Sequence, residues 1–464
     1  MIPNNKIAFY LSVRFLSQNC KRYSFIYQSF YNNFGGKLQY EEYIEKLVDL
    51  VHNHNVWRRN ECINMIASEN ITSKFVDMLY NCDAKHRYAE GYPFKRYYQG
   101  TKYIDEIEVL ACGLMSKLFN AKYVDLRPIS GTIANASAFK ALGKAGDMTM
   151  ITPLSGGGHV SHSKYGVMGA LGYNVVELPF DNEELNIDLD KATKEIRRLK
   201  PVFIVLGGSL FLFPHPVKEI GEVAKEIGSV VIFDAAHVLG LIAGKKFPNP
   251  LEEGADLVTS STHKTFPGPQ GGVIMSNNEN VFKPVRRVIF PVFVSNHHLH
   301  RLAATAGTAL EMLYFGEEYA NQILLNSKKL AEELYERGFN VLGEKNGFTR
   351  THQVAIDVSK IGGGAYAAKR LEEANIIVNK NMLPWDTPDM IKNPSGLRLG
   401  VQEITRIGMK EDDMVEIANF FERVLLRDED PTLVKKDVIK FRKDFTEVQY
   451  TFDLSDTLCG KLLL

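Results

Sequence analysis

The sequence predicts an α/β fold built on a mostly parallel, seven-stranded sheet that helices cover on both faces. Seven short apolar runs recur between residues 123 and 275, and most are separated by segments with helical periodicity. Such alternation is typical of parallel strands joined by helical crossovers. After Gly338 the pattern becomes more mixed, which predicts a smaller C-terminal α/β domain. At 464 residues the chain is long enough for two or three domains.

Local patterns predict the elements in order. Residues 1–36 hold four basic residues and no acidic one, and form an N-terminal extension that is a disordered tail, a transit peptide or an unused start. Helices are predicted over Tyr40–Asn53, Asp105–Asn120, Asp188–Leu199, Val217–Ile227 and Gln322–Arg337. The apolar runs, each predicted to be a strand, are Tyr123–Leu126, Met148–Ile151, Val175–Leu178, Val202–Leu206, Val230–Phe233, Leu257–Thr259 and Gly272–Met275.

Composition excludes several classes of function. Fifty-five basic residues balance 55 acidic ones, so the chain has no electrostatic footprint for nucleic acid or a membrane surface. No apolar run approaches the roughly 18 residues that span a bilayer. The five cysteines lack a C-x-x-C pair, which argues against a disulfide framework and a structural zinc site. A reducing, cytoplasmic compartment is expected.

Ligands of open α/β sheets bind at the carboxyl ends of the strands, where three candidate motifs lie. SGTIAN, from Ser130 to Asn135, precedes a helical pattern and either binds a phosphate at the helix N-terminus or serves as a packing turn. VVIFDAAH ends in Asp234 and His237. Asp234 either caps a helix or holds a heterocyclic nitrogen protonated. GGGHVSH places His159 where an imidazole could stack on a flat ring.

Lys264 lies in a fourth motif, SSTHKTFPGPQGG. An ordinary lysine is a solvated cation, but this one is flanked by residues that form hydrogen bonds. Desolvation in such a pocket lowers the pKa of the amine and frees it to form an imine. The flanking residues are Ser261, Thr262, His263 and Thr265.

These motifs together resemble one known family. HRYAEGYPFKRYYQG, SGTIAN, GGGHVSH, FDAAH, THKT and SGLRLG occur in the order found in serine hydroxymethyltransferases, and the likeness covers about residues 40–430. FPHPVKEI, SNHHLHRLA and NIIVNKNMLPWD are similar to the archaeal branch. The resemblance implies an aspartate aminotransferase-like fold (fold type I) with pyridoxal 5′-phosphate as cofactor. It also implies reversible conversion of serine and a reduced pterin, tetrahydrofolate or tetrahydromethanopterin, to glycine and the 5,10-methylene pterin.

The resemblance also implies roles for individual residues. Lys264 would form the Schiff base, Asp234 would bind the pyridine nitrogen, and His159 would stack on the ring. Further cofactor contacts fall on Ser130, Gly131, Thr132, Ser209, His237, Ser261 and His263. The substrate-binding residues would be Ser68, Tyr88, Glu90, Tyr98 and Arg398. Among these, Arg398 would clamp the carboxylate and Glu90 would act as acid and base.

The family's quaternary arrangement implies a homodimer with shared active sites, because Ser68, Tyr88, Glu90 and Tyr98 would reach the pocket from the neighbouring subunit. The implied domains are an N-terminal arm and intersubunit segment (37–100), a large cofactor-binding domain (101–316) and a small C-terminal domain (317–464). Two departures from bacterial and animal members are typical of the archaeal branch. Gln270 replaces an arginine, and FPVFVSNHHLH (290–300) replaces a glycine-rich phosphate loop. Val292 stands where glycine is expected even in that branch.

Three other interpretations stay open to test. A threonine aldolase or transaldolase shares the cofactor motifs, but Glu90 with its flanking tyrosines favours hydroxymethyl transfer. A cofactor-less scaffold or RNA-binding protein would be expected to lack Lys264, Asp234 or Arg398. A metal site is not expected, since the clustered histidines His159/His162 and His297/His298/His300 lack a matching Cys or H-E-x-x-H pattern. The sequence is compatible with either pterin as the carrier, with a dimer or a tetramer, and with or without a side aldolase activity.

Overall fold

The structure is a computed structural model that describes residues 40–462. The predicted extension over residues 1–36 lies outside that range. The described residues belong to two compact units, divided between Arg59 and Asn60. The first unit contributes the helix Tyr40–Val56, as predicted from the amphipathic pattern. None of the described helices combines the length and apolarity that a membrane crossing requires.

The second unit is built on the predicted seven-stranded sheet, and each predicted apolar run forms one strand. In spatial order the strands are Tyr123–Asp125, Gly272–Ser276, Leu257–Ser261, Val230–Asp234, Phe203–Gly207, Met148–Ile151 and Asn174–Glu177. Gly272–Ser276 runs antiparallel to both neighbours, and the remaining pairs are parallel. Asp234 pairs in register with Gly207 and Thr259, so the carboxyl ends of three central strands meet at one edge.

Both faces of this sheet are buried, which explains the unbroken apolar runs. Along one central strand, Ile204 and Leu206 pack into one core cluster, while Phe203 and Val205 pack into another on the opposite face. The helices of this region are Lys102–Phe119, Gly131–Leu142, Val167–Ala170, Leu189–Leu199, Val217–Ile227, Leu239–Ala243, Pro250–Glu253 and Glu279–Val288.

A 37-residue helix, His300–Glu336, leads out of the sheet region. The sequence predicted only its second half, from Gln322. The first half is rich in small and apolar residues and is buried at almost every position from Arg301 to Met312. A helix buried all round shows no amphipathic stripe, so its period could not be recognised.

The C-terminal region has the predicted mixed α/β character. Its antiparallel sheet has the order Asn340–Val341, Gln353–Asp357, Gly396–Gly400 and Asn379–Asn381. Its helices are Gly364–Glu373, Gln402–Arg406, Glu411–Leu425, Pro431–Arg442 and Asp456–Leu462. Smaller elements are the helix Lys74–Tyr80, the parallel pair Ile63–Asn64 and Ile376–Ile377, and the hairpins Gly91–Tyr92/Lys95–Arg96 and Phe180–Asp181/Asn186–Ile187.

Candidate active site

Lys264 lies just after the central strand Leu257–Ser261, in a turn that side-chain hydrogen bonds stabilise. The Thr262 hydroxyl donates to the Pro269 carbonyl (2.6 Å), and the Thr265 hydroxyl donates to the His237 carbonyl (2.9 Å). The Lys264 amine forms no hydrogen bond with any residue in the described range. Burial lowers the pKa of this amine to about 8. A lysine held in this way can act as a neutral nucleophile near pH 8.

Asp234 is a fixed anion at the end of its strand. Its Oδ2 accepts hydrogen bonds from His162 Nε2 (3.0 Å) and Asn135 Nδ2 (2.8 Å), and its Oδ1 accepts one from the Ala236 N–H (3.0 Å). Burial alone would raise the pKa of Asp234, but the bond and charge of His162, with Asn135, hold it well below its usual range. The carboxylate can therefore keep a nearby heterocyclic nitrogen protonated.

His159 is positioned by the glycine run that precedes it. Gly157 has a φ of +94°, and a Cβ there would lie 1.6 Å from the Leu210 carbonyl oxygen, so no larger residue fits. The Gly157 carbonyl accepts the Ser209 N–H (2.7 Å), which joins two strand ends. His159 Nδ1 accepts the Ser161 N–H (3.2 Å), so the ring proton is on Nε2. Burial lowers the pKa of His159 to about 4, which leaves a neutral ring at pH 7.

His237 belongs to a buried histidine pair. Its ring lies 5.5 Å from that of His352, nearly parallel to it. Gln353 Nε2 donates to His237 Nδ1 (3.1 Å) and to the Ser209 carbonyl (2.8 Å), while His352 Nε2 donates to the Ala67 carbonyl (3.2 Å). Burial lowers the pKa of His237 well below its usual value and that of His352 to about 3. Both rings are therefore neutral at pH 7.

Arg398 is a buried cation without an anionic partner. Its Nη1 donates to the Ser209 carbonyl (2.7 Å) and its Nε to Asn379 Oδ1 (3.2 Å). No carboxylate in the described part of the chain pairs with it. Burial lowers the pKa of Arg398 to about 10, so it is still charged at pH 7. A buried, unpaired guanidinium is costly, and a ligand carboxylate would relieve that cost.

The pocket also has a place for a phosphate, as pyridoxal phosphate requires. The Ser130 hydroxyl caps the helix Gly131–Leu142 by accepting the Ile133 N–H (3.1 Å). A Cβ on Gly131 would lie 3.3 Å from the Ser261 nitrogen, so the helix start and the strand end nearly touch. The Ser261 hydroxyl is buried without a hydrogen-bond partner among the described residues. A phosphate at the helix N-terminus would satisfy it, so these residues fit the cofactor.

Two further predicted contacts flank this phosphate place. Thr132 lies in the first turn of the capped helix, and its side chain is exposed. His263 directly precedes Lys264, and burial lowers the pKa of His263 to about 4. Its Nδ1 is buried and has no partner in the described range. Thr132 thus lies at the start of the capped helix and His263 beside Lys264, the two sides of the expected cofactor pocket.

Tyr88, Glu90 and Tyr98 form a second, separate cluster. The rings of Tyr88 and Tyr98 lie 5.0 Å apart. The Ser295 hydroxyl donates to the Glu90 carboxylate and lies 2.9 Å from the Tyr88 hydroxyl. Across the described residues, none of the three forms a hydrogen bond or ring contact with the Lys264 pocket. A single chain therefore does not join the two clusters through such contacts.

Ser68, by contrast, lies in a turn anchored beside its own chain's Lys264. Asn70 Nδ2 donates to the Lys264 carbonyl (2.5 Å), and Gln402 Nε2 donates to the Glu69 carbonyl (2.6 Å). These bonds place the turn beside its own chain's Lys264, whereas the resemblance implies that Ser68 comes from a neighbouring subunit, and the subunit whose pocket Ser68 enters stays a prediction.

His159, His162 and Asp234 offer ligand atoms within 4.8 Å of one another, as a metal site would. Each is already engaged, however. Asp234 accepts hydrogen bonds from His162 and Asn135, and His159 accepts the Ser161 N–H. The geometry is that of a hydrogen-bonded network around a ring pocket, and the expectation that no metal binds stays a prediction.

Sequence reasoning missed three residues of this network: His162, Asn135 and Gln353. The first two lie inside motifs that were already singled out, GGGHVSH and SGTIAN. Their polar side chains at those strand ends were the available signal. Gln353 lies in the buried strand THQVAIDV, where a polar residue among apolar ones marks a specific partner.

Comparison with known proteins agrees with this geometry. The family model described as serine hydroxymethyltransferase matches residues 41–421. A serine hydroxymethyltransferase of Saccharolobus islandicus is 58% identical over 416 residues, which are 90% of this chain and 96% of the relative. A serine hydroxymethyltransferase of Staphylothermus marinus is 57% identical over 420 residues, which are 90% of this chain and 96% of that relative. A serine hydroxymethyltransferase of Sulfolobus acidocaldarius is 57% identical over 411 residues, which are 89% of this chain and 95% of that relative.

A solved structure gives the same fold. L-Threonine transaldolase from Pseudomonas fluorescens, in its internal aldimine state, superposes with a TM-score of 0.84 at 28% identity. The match covers 91% of this chain and 98% of that one. The predicted fold class, archaeal likeness, enzyme class and cofactor are thereby confirmed, and the threonine alternative is not favoured. The chain belongs to the serine hydroxymethyltransferase family, pyridoxal-phosphate-dependent one-carbon transferases that act on serine and glycine.

Proposed function

We propose that this chain works as a homodimer with shared active sites and passes the hydroxymethyl carbon of serine reversibly to a reduced pterin, leaving glycine. The observation that carries the proposal is the pocket around Lys264. It combines an amine of lowered pKa, the fixed anion Asp234 and the unpaired guanidinium of Arg398. These are the three functional groups that an amino-acid substrate and a pyridine cofactor need.

The cofactor site is assigned as follows. Pyridoxal phosphate, when bound, supplies an electron sink for the substrate α-carbon. Lys264 would hold it through an amine of which roughly a quarter is neutral at pH 7.5, against about 0.1% for an ordinary lysine. Asp234 would keep a proton on the pyridine nitrogen, and the neutral His159 would pack on the ring. The phosphate would bind Ser130, Gly131, Thr132 and Ser261, while Ser209, His237 and His263 line the pocket.

The substrate residues act on the two ends of serine. Arg398 would bind the α-carboxylate in a bidentate manner, with Ser68 beside it, and so fix the orientation of the Cα–Cβ bond. Glu90 would take the proton from the serine hydroxyl as that bond breaks, and return it in the reverse direction. The one-carbon unit leaves at the formaldehyde level, the pterin captures it with loss of its oxygen as water, and the glycine α-carbon takes up a proton in place of the broken bond. Tyr88 and Tyr98 would flank Glu90 at the hydroxymethyl group.

Dimerisation follows from the separation of the two clusters. Because Glu90 does not contact the Lys264 pocket of its own chain, a second copy would supply it. Mixed dimers test this. Lys264→Ala and Glu90→Gln chains, each inactive alone, would recover about one quarter of wild-type activity on random mixing, because half the dimers would hold one intact site. No recovery, with mixed dimers verified by two affinity tags, would place both residues in one chain.

The pterin acceptor needs a separate experiment. Serine turnover is measured with tetrahydrofolate, with tetrahydromethanopterin and with neither, beside pterin-independent cleavage of threonine. The proposal expects stimulation of serine turnover by at least one pterin. Threonine cleavage that exceeds every serine rate would favour the aldolase instead.

Two coarser assignments complete the proposal. A cytoplasmic location is supported by Cys62, Cys82, Cys112 and Cys459, which are free thiols as expected in a reducing compartment. The domain boundaries at residues 100 and 316 are also proposed. The second falls within the long helix His300–Glu336. Limited proteolysis of the purified protein would test them.

A further inference from the structure

Three consecutive side chains, Ser295, Asn296 and His297, hold the segment that carries Glu90. They lie in the loop that precedes the helix His300–Glu336. Each of the three has a hydrogen-bonding side chain. Ser295 and Asn296 bond the segment 87–90 directly, and His297 reaches it through Glu108 and Arg96. We call this tripeptide the Ser295–His297 clamp.

Ser295 contacts the carboxylate itself. Its hydroxyl donates to Glu90 Oε1, the one hydrogen bond of that carboxylate within residues 40–462. The Tyr88 hydroxyl lies 2.9 Å from Ser295 Oγ. Because the Ser295 hydroxyl gives its single proton to Glu90, the Tyr88 hydroxyl donates to Ser295. The three groups thus form one directed chain.

Asn296 fixes the backbone just before Glu90. Its Oδ1 accepts the Ala89 N–H (3.2 Å), and its Nδ2 donates to the Arg87 carbonyl (2.9 Å). One amide side chain therefore satisfies a donor and an acceptor of the same irregular segment. This arrangement sets the direction in which the Glu90 side chain leaves the backbone.

His297 acts through a buried charge network. Its Nε2 donates to Glu108 (3.0 Å), which also binds Arg96. Arg96 in turn donates to the carbonyls of Ala89 (2.9 Å) and Gly91 (3.0 Å), on either side of Glu90. Burial alone would raise the pKa of Glu108, but His297 and Arg96 hold it at about 2, so the network stays charged.

We propose that the Ser295–His297 clamp positions the Glu90 carboxylate for proton transfer at the substrate hydroxymethyl group, with Ser295 as the positioning residue that touches it. The inference rests on the proposed role of Glu90. A half-buried carboxylate in the irregular segment just before a short hairpin samples several rotamers unless a bond selects one. A misplacement of about 1 Å at a reacting group can cost about a hundredfold in rate.

The test compares Ser295→Ala with Ser295→Thr, which keeps the hydroxyl, and with Glu90→Gln. Two reactions of the full-length holoenzyme are measured: pterin-dependent conversion of serine to glycine, and exchange of the glycine α-hydrogen in D₂O. Glycine has no hydroxymethyl group, so its exchange needs the cofactor pocket but not Glu90. Ser295 is exposed, so losing its hydroxyl leaves folding intact.

Ser295→Ala is expected to lower kcat for serine about ten- to a hundredfold, with glycine exchange within about twofold of wild type and Ser295→Thr restoring most of the loss. Unchanged serine turnover in Ser295→Ala, while Glu90→Gln is inactive, would overturn the clamp and keep the role of Glu90. Full activity of Glu90→Gln would instead overturn the proposed role of Glu90. Equal loss of both reactions in Ser295→Ala would show a merely structural role and also overturn the clamp. As a second measurement, His297→Gln, which keeps a donor to Glu108, should retain more serine turnover than His297→Ala.

Discussion

Replacing His162 with leucine tests how Asp234 is kept ionised. His162 is fully buried, and its Nε2 lies 3.0 Å from Asp234 Oδ2. Leucine fills comparable space but has no donor, whereas glutamine keeps one at similar reach. Comparing His162→Leu with His162→Gln therefore isolates the hydrogen bond, since both variants lack the imidazole.

The expected magnitude follows from the character of this bond. A hydrogen bond to a buried charged group contributes roughly 1.5–3 kcal/mol. His162→Leu should therefore unfold with a free energy about 1.5–3 kcal/mol below that of His162→Gln at pH 7. Asn135 and Ala236 still donate to Asp234, so the carboxylate is expected to stay ionised at that pH. Its pKa should rise toward the usual range.

The sign of the pH dependence can be checked as well. A carboxyl whose folded pKa is depressed adds stability that is present above its unfolded pKa of about 3.9 and is lost as the pH falls through the folded value. The difference between the two variants should therefore be full at pH 7 and shrink below about pH 4. Urea unfolding of the two cofactor-free variants at each pH measures this difference in unfolding free energy. Equal unfolding free energies at pH 7 would refute the idea that His162 stabilises the ionised Asp234.

Three further predictions follow from the same geometry. Arg398→Lys should raise KM for serine at least about tenfold, because lysine cannot form a bidentate contact, while cofactor affinity measured by absorbance titration stays unchanged; an unaltered KM would contradict the carboxylate assignment. Capture of pyridoxal phosphate by the cofactor-free protein should become faster as the pH rises, with a midpoint near 8, the pKa of Lys264. A stopped-flow capture rate that is constant from pH 7 to 9 would contradict the lowered pKa of Lys264. Arg406→Met should lower the unfolding free energy by about 3–5 kcal/mol, because it removes the ionic partner of the fully buried Glu311. A Glu311→Leu, Arg406→Met double variant should recover part of this loss in urea unfolding. If the double variant recovers none of it, the loss comes from packing and not from the buried charge.

The strands were predictable because each is buried on both faces. Burial leaves an unbroken apolar run that ends where a polar side chain meets the pocket, as at Asp234. The positions of Lys264 and His159 followed from the same rule for open sheets. Periodicity failed where burial was complete in a helix, as in the first half of His300–Glu336.

Tertiary partners were not predictable from local pattern. His162 and Asp234 lie 72 positions apart, and only the fold brings their atoms to 3.0 Å. The same limit explains Ser68, whose turn is placed by bonds from Asn70 and Gln402 rather than by its own motif. Motifs identify the chemistry of a side chain, but the three-dimensional contacts decide which subunit's pocket it reaches.

The pocket separates the charge states of groups that burial would otherwise drive together toward neutrality. Burial alone raises the pKa of Asp234 and lowers that of His159, so both would become neutral. The hydrogen bond and charge of His162, with a hydrogen bond from Asn135, prevent this for Asp234 alone. The Asn135 amide donates also to the Ser161 hydroxyl, and the Ser161 N–H fixes the tautomer of His159.

Asp234 is thus kept anionic while His159 stays a neutral ring, although their ligand atoms lie within 4.8 Å of each other. A cationic His159 would compete with a protonated pyridine ring for the charge of Asp234. With His159 neutral, that anion is available to the cofactor nitrogen, and the amine of Lys264 is the group in the pocket that changes its protonation near pH 8. The hydrogen bond and charge of His162 therefore keep Asp234 anionic, and burial keeps His159 neutral, before any ligand binds.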